Sequence, residues 1–75
     1  MAERIIVDSA ILAGKPIIKG TRISVEFILE LLSSGMSINE ICEEYSHLKK
    51  EDIFAAISYA VKALRHEEVY LTTKI

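Results

Sequence analysis

Gly14-Lys15-Pro16-Ile17-Ile18-Lys19-Gly20-Thr21-Arg22-Ile23-Ser24-Val25 divides the chain into two parts of different character. The stretch holds two glycines, the only proline and three of the nine basic residues, and it opens into an amphipathic pattern. Glycine reaches backbone angles that side chains disfavour, while proline fixes φ and drives the residue before it, Lys15, toward extended geometry. Gly14, Pro16, Gly20 and Thr21 therefore read as a shaped corner rather than a spacer. Lys15, Lys19 and Arg22 give that corner positive charge.

On the N-terminal side of the corner, the short β-branched run Ile5-Ile6-Val7 predicts a strand. Ile17-Ile18, following Pro16, is expected to pair with it as a small hairpin-like head, with Gly20-Thr21 turning the chain afterwards. Residues 10–12 fit no element clearly.

On the C-terminal side, Ser24 is an N-cap for a helix that runs through residues 32–34. Val25, Ile28, Leu29 and Leu32 recur at spacings of three and four and form its buried stripe, and Gly35 is the expected left-handed residue that ends it. Ser37-Ile38-Asn39-Glu40 is a capping box opening a second helix over residues 37–45, with Ile38, Ile41, Cys42 and Tyr45 on its inner face. Leu48 is expected to plug the connection at residues 46–49. A third helix follows from residue 50 to residue 65 or 66, with Ile53, Ile57, Ala60 and Leu64 inward and Phe54 and Val61 on an adjacent side. Residues 67–75 read as a loose tail whose Val69, Tyr70, Leu71 and Ile75 are available to dock on a partner. The expected architecture is mainly α: one domain over residues 1–75, with a β-containing basic head (1–23), a three-helix bundle (24–66) and a tail.

A chain of 75 residues makes one small domain, and chains near this size bury only about 60% of their unfolded surface. Half of the residues (51%) are nevertheless hydrophobic, and the single cysteine, Cys42, forms no internal bridge. Oligomerisation is the remaining common support for such a scaffold. Phe54 and Val61 are accordingly the candidate dimer or partner surface, and a homodimer is expected. The lone cysteine fits a reducing cytosol, and neither a signal peptide nor an apolar run of membrane-spanning length is evident. The expected setting is cytoplasmic, with no membrane partner.

The net charge of −2 argues against a chain that is basic overall, as a nucleic-acid binder's usually is. The distribution is uneven: residues 1–22 carry four basic against two acidic side chains, and the remainder five against nine. The head is basic and the body acidic. No nucleophile stands with a matching base, so no catalytic residue and no enzyme activity is expected. Cys42, His47 and His66 lack any standard zinc spacing, and Gly14-Lys15 lacks the rest of a phosphate-binding loop. No metal and no cofactor is expected.

Two readings of the basic corner stand open. Lys15, Lys19 and Arg22 bind a partner's phosphates or carboxylates, or Arg22 braces the turn by pairing with Glu26 while the lysines are simply solvated. The second and third helices have the order and length of a helix-turn-helix, which makes Lys49, Lys50 and Tyr59 candidate DNA contacts. Glu51 and Asp52 in the same turn repel phosphate and instead complement a helix N-terminus, and Ala55 and Ala56 offer little base-reading chemistry.

Taken together these residues resemble the DUF433 family, domain of unknown function 433. The likeness lies in Gly-Lys-Pro-x-Ile-x-Gly-Thr-Arg-Ile-x-Val from Gly14 to Val25, Gly35-Met36-Ser37, the Ile-x-x-x-Tyr-x-His-Leu segment from Ile41 to Leu48, and Glu51-Asp52-Ile53. Their order and spacing carry it over residues 5–66. In this chain Ala10 and Ala13 stand where such families often have a proline and a glycine, and Lys49 stands where a capping threonine is common.

The resemblance implies a homeodomain-like, helix-turn-helix three-helix domain behind a short β element. It implies a VapB-like antitoxin whose partner is a PIN-like ribonuclease toxin, and which also represses promoter DNA. The carboxylate cluster of such a nuclease would be the target of Arg22. Two other roles compete with this one: a DNA-binding autorepressor without a toxin, and an orphan protein-interaction module.

Overall fold

The computed structural model of this protein describes the backbone of residues 4–74 and the side chains of residues 4–65. Two β-branched runs meet as expected. Ile5–Val7 (β1) pairs antiparallel with Pro16–Ile18 (β2), placing Ile5 opposite Ile18, Ile6 opposite Ile17 and Val7 opposite Pro16. The Lys19 N–H donates to the Arg4 carbonyl at 2.7 Å and extends the ladder by one step. Pro16, which has no N–H to give, stands at the first position of β2, where a strand tolerates it.

The chain between the strands is a turn. The Asp8 carboxylate accepts the Ala10 N–H at 2.9 Å, and the Asp8 carbonyl accepts the Ile11 N–H at 2.9 Å. Leu12, Ala13 and Gly14 then follow one another in the left-handed region, at φ of 50°, 56° and 81°. Two consecutive non-glycine residues there are costly, on the order of 1 kcal/mol each. The turn is closed by Gly14 N–H to the Ile11 carbonyl (3.0 Å) and Lys15 N–H to the Leu12 carbonyl (3.2 Å).

Three helices follow: Val25–Ser33 (α1), Ile38–Glu44 (α2) and Lys50–Lys74 (α3). Their boundaries are set by side-chain chemistry. The Ser24 hydroxyl accepts the Phe27 N–H at 2.9 Å and caps α1. At the other end Gly35 adopts a φ of 104°, its N–H donating to the Leu32 carbonyl while the Met36 N–H reaches the Leu31 carbonyl. This is a Schellman stop, completed by the half-buried Met36 against the core. At α2 both halves of the capping box form: Glu40 N–H to the Ser37 hydroxyl (3.1 Å) and Ser37 N–H to the Glu40 carboxylate (2.8 Å).

Ile18, Val25, Ile28, Ile41, Leu48, Ile53 and Ala56 form the core, with Leu29, Leu32, Ile38, Cys42, Tyr45 and Ile57 packed around it. Leu48 is the expected plug between α2 and α3. Phe27 and Tyr45 add an edge-to-face ring pair with centroids 5.6 Å apart. Ile17 is also buried, although it lies outside the main cluster, so both faces of β2 are covered.

The third helix departs from expectation in two ways. It continues to Lys74 rather than ending near residue 65, so the backbone of residues 67–74 is helical and not a loose tail. No glycine or proline stands anywhere in α3 to stop it. The expected docking residues Val69, Tyr70, Leu71 and Ile75 lie outside the described side chains. The second departure is Leu64, which is exposed rather than inward, whereas Ala56 is fully buried. At 1.5 Å per residue α3 is about 37 Å long and α1 about 14 Å, so α3 outruns the elements that cover its first turns. Past Ala60 there is no core for an inward row to meet.

Candidate functional site

The turn after β2 is built around one hydroxyl. The Thr21 side chain donates to the Ile18 carbonyl at 2.8 Å and accepts the Ile23 N–H at 3.0 Å, while the Thr21 N–H donates to the same Ile18 carbonyl. Gly20, at φ 84°, occupies the position where a turn of this kind needs a left-handed residue. The chain then returns along β2: Ile18 N–H bonds the Ile23 carbonyl, and Ser24 bridges to Ile17. Residues 18–24 thus form a closed knuckle whose backbone is held at both ends and in the middle.

Lys19 and Arg22 are both on this knuckle, both exposed, and neither side chain has a hydrogen-bond or ion-pair partner among the described residues. The bracing of Arg22 by Glu26, one of the two open readings of the corner, does not occur. Glu26, in the first turn of α1, instead takes Lys15, whose ammonium lies 3.0 Å from the carboxylate. Both partners of that pair are more than half exposed (57% and 62%), which makes it a weak surface contact. Lys15 sits at the opposite end of β2 from Lys19, about 13 Å away along an extended strand. The three cations expected to act as one corner therefore separate into a pair on the knuckle and a third that is already engaged.

The far end of the head carries a different surface. Val7 and Leu12 are exposed, at 61% and 42%, next to Pro16 and Lys15. Sequence reasoning passed over both. Nothing in Ile11-Leu12-Ala13 signals a left-handed turn, and only Gly14 after them is suited to one.

The Arg4–Asp52 contact also escaped the sequence reading. The Arg4 guanidinium donates to one Asp52 oxygen at 2.8 Å, and the Lys49 N–H donates to the other at 2.9 Å. Asp52 is buried, and from the third helical position its carboxylate closes the Lys49 N–H, the half of a capping box that Lys49, with no side-chain oxygen, does not reciprocate. One carboxylate thus starts α3 and fastens β1 to it. Its signal in the sequence was the Lys49-Lys50-Glu51-Asp52 spacing, legible as a cap but silent about Arg4.

The DNA-contact candidates do not converge on one face. Lys49, Lys50 and Tyr59 are all exposed. Along a helix of 3.6 residues per turn, however, Lys50 and Tyr59 stand about two and a half turns apart and hence on opposite faces. Phe54 and Val61 are exposed as expected, at 57% and 40%. Among the described residues no group of three or more His, Cys, Asp or Glu is placed to hold a metal ion. Cys42 is a half-buried free thiol. No helix is long and apolar enough, over the described residues, to cross a membrane.

One family model matches the chain, over residues 5–60: DUF433, described as a protein of unknown function. The match takes in β1, the strained turn, the knuckle, α1, α2 and the first turns of α3. No curated protein and no solved structure matches the chain.

Proposed function

This protein belongs to the DUF433 family, and we propose that it is an antitoxin-type binding protein, VapB-like and homeodomain-like in kind, that neutralises a PIN-like ribonuclease. The observation that carries the reading is the knuckle, on which Lys19 and Arg22 stand on a braced backbone without a counter-charge among the described residues. A guanidinium is suited to bidentate pairing with a carboxylate, and a metal-dependent nuclease concentrates carboxylates at its centre. Inserting Arg22 there would compete with the metal and with the substrate phosphate together. Exposed Val7 and Leu12 offer apolar contact at the other end of the same head.

Promoter binding uses the same cations differently, as backbone phosphate contacts that fix position without reading sequence. Glu51 and the opposed faces of Lys50 and Tyr59 disfavour base reading by α3.

The test begins with tagged full-length protein recovered from its native cytosol, and any co-purifying protein assayed for metal-dependent ribonuclease activity. The expected result is a stoichiometric small nuclease that is silent in the complex and active once separated. Arg22→Glu should weaken its capture at least about tenfold, since truncating a charged pair within an interface costs about 2 kcal/mol or more. Full capture and inhibition by Arg22→Glu would reject the role of the knuckle. A shift of upstream DNA that weakens steeply with salt, with no nuclease recovered, would replace the antitoxin reading with a repressor.

A further inference from the structure

Phe54, Ile57, Val61 and Leu64 repeat along α3 at spacings of three, four and three. On a helix turning 100° per residue they fall within an arc of about 80°. This is a heptad seam, and it is displaced from the row that α3 turns inward, namely Ile53, Ala56 and Ala60. Phe54, Val61 and Leu64 are 57%, 40% and 60% exposed, while Ile57 is half-buried at the edge of the core. Phe54 is exposed because it turns away from the row that carries Ile53, and Val61 and Leu64 because no element among the described residues reaches them.

We propose that this seam docks a second copy of the same chain, with the two α3 helices antiparallel and the two-fold axis level with Tyr59. In that register Phe54 meets the partner's Leu64 and Ile57 meets the partner's Val61. Symmetry repeats both contacts, so all four layers of the seam are apolar. The residues that flank the axis are Ser58 and Ala60, small enough for the helices to approach closely. At each end of the seam Glu51 lies beside the partner's Arg65, and both side chains are exposed and without an ion-pair partner among the described residues.

A parallel pairing lacks this match. It would set Arg65 beside the partner's Ala60 and leave Glu51 without a basic neighbour. Charge therefore selects the antiparallel arrangement, and the apolar layers supply the affinity. Residues 61–65 of α3, all exposed within one chain, then lie along residues 53–57 in the other. Four layers bury an area at the low end of specific interfaces, below about 1,200 Å², so a dissociation constant in the micromolar range is expected. The pairing goes beyond the antitoxin reading and stands whether or not a nuclease is bound.

The test is sedimentation equilibrium of the full chain from low to high micromolar concentration, with circular dichroism as the control for folding. The wild type should pass from monomer to dimer across that range. Val61→Glu and Leu64→Glu, both at exposed positions, should each keep the helical spectrum and stay monomeric. Glu51→Arg and Arg65→Glu should each weaken dimerisation several-fold, and the double exchange should restore it. A wild type that is monomeric throughout would overturn the proposal. So would a dimer indifferent to Val61→Glu and Leu64→Glu, or a double exchange no better than the single ones.

Discussion

The β head and the third helix are stabilised by different means. Over residues 4–24 the chain is positioned by polar geometry: an Asp8 turn, a Thr21 hydroxyl used twice, a two-strand ladder and a left-handed turn. It tolerates strain at Leu12 and Ala13, and it leaves charge exposed at Lys19 and Arg22. Lys50–Lys74 is a regular helix held by Ile53 and Ala56 in the core, and among its exposed residues is an apolar row, Phe54, Val61 and Leu64. An exposed cation is well solvated and waits for a counter-charge. An exposed apolar stripe is a standing cost that covering relieves. The head is therefore the better place to look for an electrostatic partner, and α3 for a hydrophobic one.

The contrast is sharpest between adjacent residues. Ile53 is fully buried and Phe54 is 57% exposed, one position on along the same helix. Ile53→Ala should destabilise by about 3 kcal/mol through lost burial and a cavity, and Ile53→Val by about 1 kcal/mol should the former fail to fold. Phe54→Ala should cost less than about 0.5 kcal/mol when measured where the chain is monomeric. Urea unfolding at low protein concentration reads all three. Equal costs for Ile53→Ala and Phe54→Ala would mean that the outer face of α3 is already covered within one chain.

Asp52 is where the two regions join, and its effect is expected to be intermediate. Asp52→Ala removes both the cap on Lys49 and the acceptor for Arg4, for about 2 kcal/mol. Arg4→Ala loses only the bridge, and with 42% of its side chain exposed the loss is screened to about 1 kcal/mol or less. Thermal melts of the two single variants and the double give the coupling directly. No coupling would show that β1 and α3 are held together by packing alone.

These effects also explain what could be read in advance. The starts of α1 and α2 were legible because Ser24, Ser37 and Glu40 act on backbone within four residues, and so was the stop at Gly35. The strand pairing followed from two β-branched runs separated by turn residues. Lys15 stands apart from Lys19 and Arg22 in the fold because linear proximity does not say which end of a strand a residue occupies. Pairing Arg22 with Glu26 failed for the same reason: Lys15 is farther from Glu26 in sequence and nearer in space. The Arg4–Asp52 contact spans 48 positions, and no local pattern announces a bond of that kind. The exposure of Leu64 depended on the lengths of other elements, so the periodicity of α3 alone put it on the wrong side.

The smallest expected effect has the opposite sign, and it tests whether the head carries strain at all. Ala13 adopts a φ of 56° between Leu12 at 50° and Gly14 at 81°, and its methyl group makes that conformation costly. Ala13→Gly removes the cost, and although glycine loses more entropy on folding, the balance at a positive φ favours it by up to about 1 kcal/mol. Ala10 is three residues earlier in the same loop and is not among the residues with positive φ, while its N–H is held by Asp8. Ala10→Gly should therefore destabilise by about 0.5 kcal/mol through unfolded-state entropy alone. Melting temperatures of the two variants, one raised and one lowered, would place the strain at Ala13. Were both lowered alike, the loop would not hold a left-handed turn in solution, and Val7 and Leu12 would lose the fixed setting that makes them a surface.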